Sequence, residues 1–469
     1  MSLMISISGI RGIIGESLTP EIIVKYAATF GQYCRQKHPS GTTVVVGWDG
    51  RITGSVVAEL VCSTLLAKGV NVRSIGICPT PTVQLAVEHT GAAGGISVTA
   101  SHNPIQWNGL KFMASTGMFL NAEENKEFCE LAERRPAYVP WDAIGSRIQD
   151  GTWLDKHIDA VLSLGFLQTE RIRNRKFRVA LDCVNAAGGL IVPRLLERLG
   201  CEVVKLNCDV SGVFAHTPEP IPQNLTDLAH LVRTEGTDLG IAVDPDVDRL
   251  VLMTEKGEPY SEEYTIATAV HFVLSHRKNG SKPARVVVNL STTRAVDDVA
   301  RTHGGEVIRT PVGEINVARR MKEVGAIIGG EGSGGVILPD VHLGRDAIVG
   351  IALILECLIE ADCTLSELKA SLPQYEIAKG KMEVAGISPD QVLSNLATAH
   401  AREGKITTDD GLKIDLEDSW VHLRKSNTEP ILRIIAEART FDKAAALVES
   451  FRKEILHLSQ SRGANPLPV

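Results

Sequence analysis

The chain of 469 residues carries 49 Lys and Arg against 56 Asp and Glu, a formal net charge of −7. That balance lacks the concentrated basic face that phosphate backbones require, which argues against a nucleic-acid partner. Hydrophobic residues at 44% and charged residues at 22% supply ample core, and no apolar run approaches the roughly 20 residues needed to cross a bilayer, so no membrane partner is expected. The sequence shows no charged-then-apolar leader with a cleavage site, which makes a cytoplasmic location the expectation. The length exceeds what one core can serve, so several domains of roughly 100 to 150 residues are expected.

In chain order, the first periodic region spans residues 43 to 77. Thr43-Val44-Val45-Val46-Gly47 reads as a strand, Val57, Leu60, Val61 and Leu65 recur at helical spacing, and Val70 to Ile75 is extended again, a strand-helix-strand unit. Next, Gly95 to Thr99 reads as a short buried strand running into Ala100-Ser101-His102-Asn103-Pro104. Proline fixes its own φ and restricts its neighbour, so Asn103-Pro104 predicts a turn with Ser101 on an exposed corner. A serine hydroxyl is a weak nucleophile that needs a base, a metal or a phosphoryl group already on it. His102 is adjacent but is expected to point elsewhere along an extended backbone. Alone, Ser101 reads either as a turn hydroxyl capping a helix or as a reacting group. The Asn108-Gly109 turn then leads to Lys111.

An amphipathic helix is predicted from Thr152 to Leu164, followed by Arg171, Arg173, Arg175, Lys176 and Arg178, read as a solvated linker face. A second strand-helix-strand unit covers 178 to 206, and Asp244-Pro245-Asp246-Val247-Asp248-Arg249 lies between the predicted strands Leu239 to Val243 and Leu250 to Thr254. Alternating carboxylates in an extended loop converge on one face, repel, and call for a divalent cation. Glu255 falls at the twelfth position of a calcium-loop register, but Arg249 stands where that loop needs glycine and the flanks are strands. Magnesium suits an oxygen-only site with few protein ligands, because positions remain for phosphate oxygens.

A third unit spans 285 to 308 and leads to Gly329-Gly330-Glu331-Gly332-Ser333-Gly334-Gly335, whose glycines let the backbone approach a ligand. After Pro373 the pattern changes to separated strands, Ser419 to Leu423 and Ile431 to Ala436, with helices at 388 to 401 and 441 to 457, an α+β module. Within it, Arg424-Lys425-Ser426-Asn427-Thr428-Glu429-Pro430 offers a guanidinium, hydroxyls, an amide and backbone N–H groups, suited equally to a phosphate dianion and to an ordinary surface turn. Ser459 to Val469 is expected to fray. The division predicted is 1–151, 152–255, 256–372 and 373–469. The nine cysteines include no C-x-x-C pair, and Cys62 and Cys183 fall in apolar runs, so they read as reduced core residues.

Taken together, the four loops in this order resemble the α-D-phosphohexomutase family, over Ile7 to the region of Ala438. The resemblance implies three similar α/β domains and a smaller C-terminal α+β domain around a central cleft, each giving one loop. It implies that Ser101 carries a phosphoryl group and that Asp244, Asp246 and Asp248 hold magnesium together with Ser101. Glu331 and Ser333 would read sugar hydroxyls, and Arg424, Ser426, Asn427 and Thr428 would grip the phosphate that is not reacting. Arg11 and Lys111 match the family's cleft arginine and lysine, and Lys111, His102, Arg249 and Arg11 stand with Ser101 as the catalytic candidates.

The implied reaction interconverts hexose 1-phosphate and 6-phosphate through phosphoserine and a hexose 1,6-bisphosphate, which also serves as activator. A small-molecule sugar phosphate is the expected partner, and the protein is expected to be a monomer or homodimer. Gly335, where many bacterial relatives have histidine, predicts open space and no fixed donor near sugar carbon 2, which points to glucosamine phosphate, with glucose and mannose phosphates as slower substrates and phosphomannomutase/phosphoglucomutase activity as the alternative. A metal-dependent sugar-phosphate phosphatase and a non-catalytic sensor are the rival readings.

Overall fold

The computed structural model describes residues 3–6, 9–39, 41–277, 283–383, 388–425 and 431–460. Four sheets succeed one another along it. The first runs in the order Met4–Ser6, Gly9–Ile13, Trp107–Ala114, Gly94–Val98, Thr43–Trp48, Asn71–Ile77, Arg147–Gln149. Its centre is parallel, with Val44 in register beside Val72 and Gly94. Such strands are buried on both faces and read as continuous β-branched runs. Alternation sends Val44 and Val46 to the core beneath helices Pro20–Lys37 and Gly54–Ala67, and Val45 to the core beneath Thr80–Thr90.

The second sheet orders Leu250–Thr254, Leu239–Val243, Arg178–Asp182, Glu202–Leu206, and the third orders Glu306–Thr310, Arg285–Asn289, Ile328–Glu331, Gly335–Ile337. Both are parallel except for one antiparallel edge strand. The fourth sheet is wholly antiparallel, Glu376–Glu383, Ile431–Ala438, Trp420–Lys425, Leu412–Asp415, Lys405–Thr407, and packs Val392, Leu396 and Ile455 from its two helices onto Leu432 and Ile434. The architecture is therefore three similar α/β units and a smaller α+β unit, as the residue patterns predict.

The likeness among the first three units is structural rather than a matter of residue identity. In each, the functional loop closes an antiparallel hairpin. Residues 99–106 join Gly94–Val98 to Trp107–Ala114, 244–249 join Leu239–Val243 to Leu250–Thr254, and 332–334 join Ile328–Glu331 to Gly335–Ile337. Arg424 lies on the strand Trp420–Lys425, which pairs antiparallel with Ile431–Ala438.

Predicted helices appear as Trp153–Leu162, Pro389–Ala399 and Phe441–Gln460. The periodicity did not reveal Ala347–Ala361, because residues from Ala347 to Leu358 are all buried and the helix has no polar stripe to mark it. The basic run lies on the surface, with Arg173, Arg175 and Arg178 paired to Glu170, Asp238, Glu202 and Glu235. All nine cysteines are free, six of them buried. No helix among the described residues is long and apolar enough to cross a membrane.

Backbone hydrogen bonds stitch the units together close to the hairpin loops. Thr80 N–H donates to Asp246 O at 2.9 Å, Ala187 N–H to Asp49 O at 2.9 Å, and Leu250 N–H to Gly334 O at 2.9 Å. A buried polar junction lies behind them. Asp346 Oδ2 meets His157 Nε2 at 2.7 Å and His342 Nε2 at 3.1 Å, His157 Nδ1 meets Thr82 Oγ1 at 2.9 Å, and Asp346 Oδ1 caps the helix Ala347–Ala361 through Ile348 N–H at 2.8 Å. Burial opposes ionisation of Asp346, yet His157 and His342 outweigh it and hold the carboxyl below its usual range. Asp346→Asn keeps the cap and loses the charge, so it should lower stability by roughly 1.5–3 kcal/mol. Thermal unfolding checks this, and an unchanged melting curve contradicts it.

Candidate active site

The serine loop is built around a buried guanidinium. Arg51 Nε donates to Asp49 Oδ2 at 2.9 Å, Nη1 to Pro104 O at 3.0 Å and Trp107 O at 3.1 Å, and Nη2 to Asn103 O at 3.0 Å and to Ser101 O. All five N–H groups thus have acceptors. Thr99 Oγ1 donates to Asp49 Oδ2 at 2.6 Å and accepts Ser101 N–H at 2.8 Å, which completes the wrap.

Two expectations about this loop are corrected. Ser101 is not on an exposed corner: it is 2% exposed, because the aspartate hairpin of the next unit covers it. His102 does not point away. Ser101 has φ +49°, the left-handed region, so the backbone is not extended there and His102 Nδ1 comes to 3.3 Å from Ser101 Oγ. Burial, with Arg249 and Arg11 adding to it, pushes the His102 imidazole down to about 2, so it is neutral in this setting. Nor does Ser101 cap a helix.

Ser101 Oγ donates to Asp244 Oδ2 at 3.0 Å, while Asp244 Oδ1 accepts the N–H groups of Asp248 and Arg249 at 3.1 and 3.2 Å. Asp246 Oδ2 takes Thr80 Oγ1 and Lys111 Nζ, each at 2.6 Å, and Asp248 Oδ2 takes Lys111 Nζ at 3.3 Å and Arg345 Nη2 at 2.6 Å. The second oxygens, Asp246 Oδ1 and Asp248 Oδ1, are buried with no hydrogen-bond partner. One oxygen from each of the three aspartates lies within 4.8 Å of the others. Burial, reinforced by Asp248 and Asp246, raises the Asp244 carboxyl well above its usual range, a sign that a cation is wanted. The donor set therefore fits a hard divalent ion.

For Lys111 the carboxylates of Asp246 and Asp248 outweigh burial and keep the ammonium charged. Arg11 comes in from strand Gly9–Ile13 and donates to Asn103 Oδ1 at 3.2 Å. Arg249 places Nε 3.9 Å from Asp248 Oδ1. The site thus gathers Arg11, Lys111, Arg249 and Arg345 around the acidic loop.

Glu331 is buried and held on both oxygens. Oε1 accepts Asn289 Nδ2 at 2.8 Å and Gly313 N–H at 2.9 Å, and Oε2 accepts Arg345 Nη1 at 2.9 Å. Ser333 Oγ lies 3.5 Å from the same Nη1. Two loop glycines are needed for close approach. A Cβ at Gly332 would sit 1.9 Å from Glu263 Oε2, and one at Gly335 would sit 2.3 Å from Arg345 Cδ. The expected open space beside Gly335 is therefore not there: the Arg345 stem fills it, and its guanidinium is a fixed donor.

Arg424 Nε pairs with Asp410 Oδ2 at 2.9 Å, and the same oxygen accepts Val312 N–H at 2.9 Å, which ties the fourth unit to the third. Ser426, Asn427 and Thr428 lie outside the described residues. Sequence reasoning missed Asp49, Arg51, Thr80, Asn289 and Arg345. Asp49-Gly50-Arg51 was the readable one, since it follows a parallel strand at its C-terminal end, where open α/β sheets place their ligand loops.

The first three units each close a hairpin with a polar loop, and together they set a buried serine hydroxyl against a cation-ready acidic loop, the layout of a group-transfer enzyme. The chain matches the phosphoglucomutase/phosphomannomutase domain families: alpha/beta/alpha domain I over residues 4–138, domain II over 155–257, domain III over 261–375 and the C-terminal domain over 379–454. A probable phosphoglucosamine mutase of Methanopyrus kandleri is 36% identical over 447 residues, covering 95% of this chain and 96% of the relative. A phosphoglucomutase/phosphomannomutase of Thermococcus kodakarensis is 38% identical over 443 residues, 94% and 96%. The crystal structure of a phosphoglucomutase/phosphomannomutase family protein from Burkholderia thailandensis superposes with TM-score 0.83 at 27% identity, covering 99% of this chain and all of that one. The chain belongs to the phosphoglucomutase/phosphomannomutase family.

Arg51→Lys keeps the charge but loses the fork that holds four carbonyls. It should lower stability by about 3 kcal/mol or more, as for a broken buried pair. Urea unfolding measures this, and a wild-type midpoint contradicts the cradle.

Proposed function

We propose that the protein is a phosphohexomutase that interconverts hexose 1-phosphate and 6-phosphate through a phosphoserine at Ser101. The observation that carries this reading is the buried Ser101 hydroxyl 3.0 Å from Asp244, beside two carboxylate oxygens that accept no hydrogen bond. The phosphoryl group on Ser101 Oγ passes to the free hydroxyl of the sugar. The Oγ–P bond breaks, the sugar O–P bond forms, and the hydroxyl proton ends on Oγ. The resulting 1,6-bisphosphate turns round and returns its other phosphoryl group by the reverse exchange.

Magnesium held by Asp244, Asp246, Asp248 and Ser101 would supply Lewis-acid stabilisation of phosphoryl charge. Arg249 and Arg11 face the same region and share that charge, and Lys111, bridging Asp246 and Asp248, is the group placed to handle the proton. Glu331 and Ser333 orient the sugar, and Arg424 with Ser426, Asn427 and Thr428 holds the phosphate that is not reacting. A phosphatase would instead pass the phosphoryl group to water, and following hexose 6-phosphate against free phosphate separates the two.

Glucosamine phosphate is the proposed sugar. Support comes from relatives named probable phosphoglucosamine mutase at 34–36% identity across nearly the whole chain. The Thermococcus kodakarensis relative named phosphoglucomutase/phosphomannomutase favours glucose and mannose phosphates as the second reading. Comparing kcat/KM for the three 1-phosphates decides between them.

Ser101→Ala should remove nearly all turnover and leave the fold intact, and intact-mass measurement should find phosphate on the active protein and none on the variant. A fully active variant sinks the mechanism. Asp248→Asn, or excess chelator, should slow transfer by orders of magnitude, since one Lewis-acid contact is worth several kcal/mol. Unchanged rates in chelator count against the metal.

A further inference from the structure

Arg345 immediately precedes Asp346, the residue pinned by His157 and His342. Its backbone is fixed on both sides, with its own N–H on Glu314 Oε1 at 3.3 Å and the Asp346 N–H on Val336 O at 2.8 Å. From this anchored position the guanidinium reaches carboxylates on three separate segments. Nη2 donates to Asp248 Oδ2 at 2.6 Å, Nη1 to Glu331 Oε2 at 2.9 Å, and Nε to Glu314 Oε2 at 3.1 Å. The first is on the metal loop and the second on the sugar loop. The stem crosses Gly335 where a Cβ would collide with it.

We propose that Arg345 is a positioning residue that couples the metal loop to the sugar loop, and that Gly335 is glycine so that this side chain can cross it. By engaging Asp248 Oδ2 it leaves Asp248 Oδ1, which accepts no hydrogen bond, as the oxygen that would ligate a metal. By engaging Glu331 Oε2 it sets the carboxylate that orients the sugar. A rigid planar fork can satisfy acceptors in three directions, and a lysine ammonium cannot reproduce that geometry. Partners that orient a ligating carboxylate change metal affinity as well as rate. The proposal rests on the magnesium reading of the aspartate loop.

Calorimetric titration of the full chain with magnesium, without substrate, is the first arm. Wild-type protein that binds no magnesium overturns the metal reading itself. With wild-type binding in hand, Arg345→Lys should weaken magnesium about ten-fold or more and raise KM for hexose 1-phosphate as well as lowering kcat. Gly335→Ala alters no charge and pushes the Arg345 stem aside, so it should move both quantities in the same direction, and should add nothing in an Arg345→Ala background. If both single variants bind magnesium as wild type does, or if Gly335→Ala is equally harmful without Arg345, the coupling role is wrong.

Discussion

A guanidinium can be buried only when its N–H groups all find acceptors, and that constraint shapes the serine loop. Arg51 takes one carboxylate oxygen and four carbonyls, three of them from Ser101 to Pro104. The loop has no helix or ladder to satisfy those carbonyls, so the arginine replaces the missing secondary structure. The left-handed φ at Ser101 is held by the same contacts. The serine hydroxyl is thereby fixed against the next unit rather than left in solvent.

Across that junction the same rule operates with opposite sign. Three aspartates, all essentially buried, cannot remain charged together without cations. Lys111 and Arg345 take one oxygen each from Asp246 and Asp248, and the Ser101 hydroxyl takes one from Asp244. Asp246 Oδ1 and Asp248 Oδ1 are left without hydrogen bonds, and one oxygen from each aspartate lies within 4.8 Å of the others. Lys111 and Arg345 thus hold Asp246 and Asp248 in place, and Arg345 extends the same ion network to Glu331.

Much of this was legible in the residues. Val-rich runs marked the parallel strands, and the strands flanking Asp244 to Arg249 appear with the predicted ends, which disposes of the calcium-loop alternative. Interactions between distant segments were hidden. Nothing near Ser101 says that Arg51 organises it, and a glycine at 335 reads as empty space until Arg345 is seen crossing it. The His102 expectation failed for a local reason, since one positive φ redirects the next side chain. The helix Ala347–Ala361 escaped because burial on all sides from Ala347 to Leu358 erases the periodicity that reveals helices.

Hairpin loops from the first three units bring together groups that no single unit holds, and phosphoryl transfer between Ser101 and the sugar is the step proposed for them. The most direct measurement is a chase: protein carrying labelled phosphate on Ser101, mixed with unlabelled hexose 1-phosphate and followed in time. The label should leave Ser101, appear first in hexose bisphosphate and then in hexose 6-phosphate, with little free phosphate. Label that stays on the protein through turnover, or that emerges as inorganic phosphate, would contradict the account.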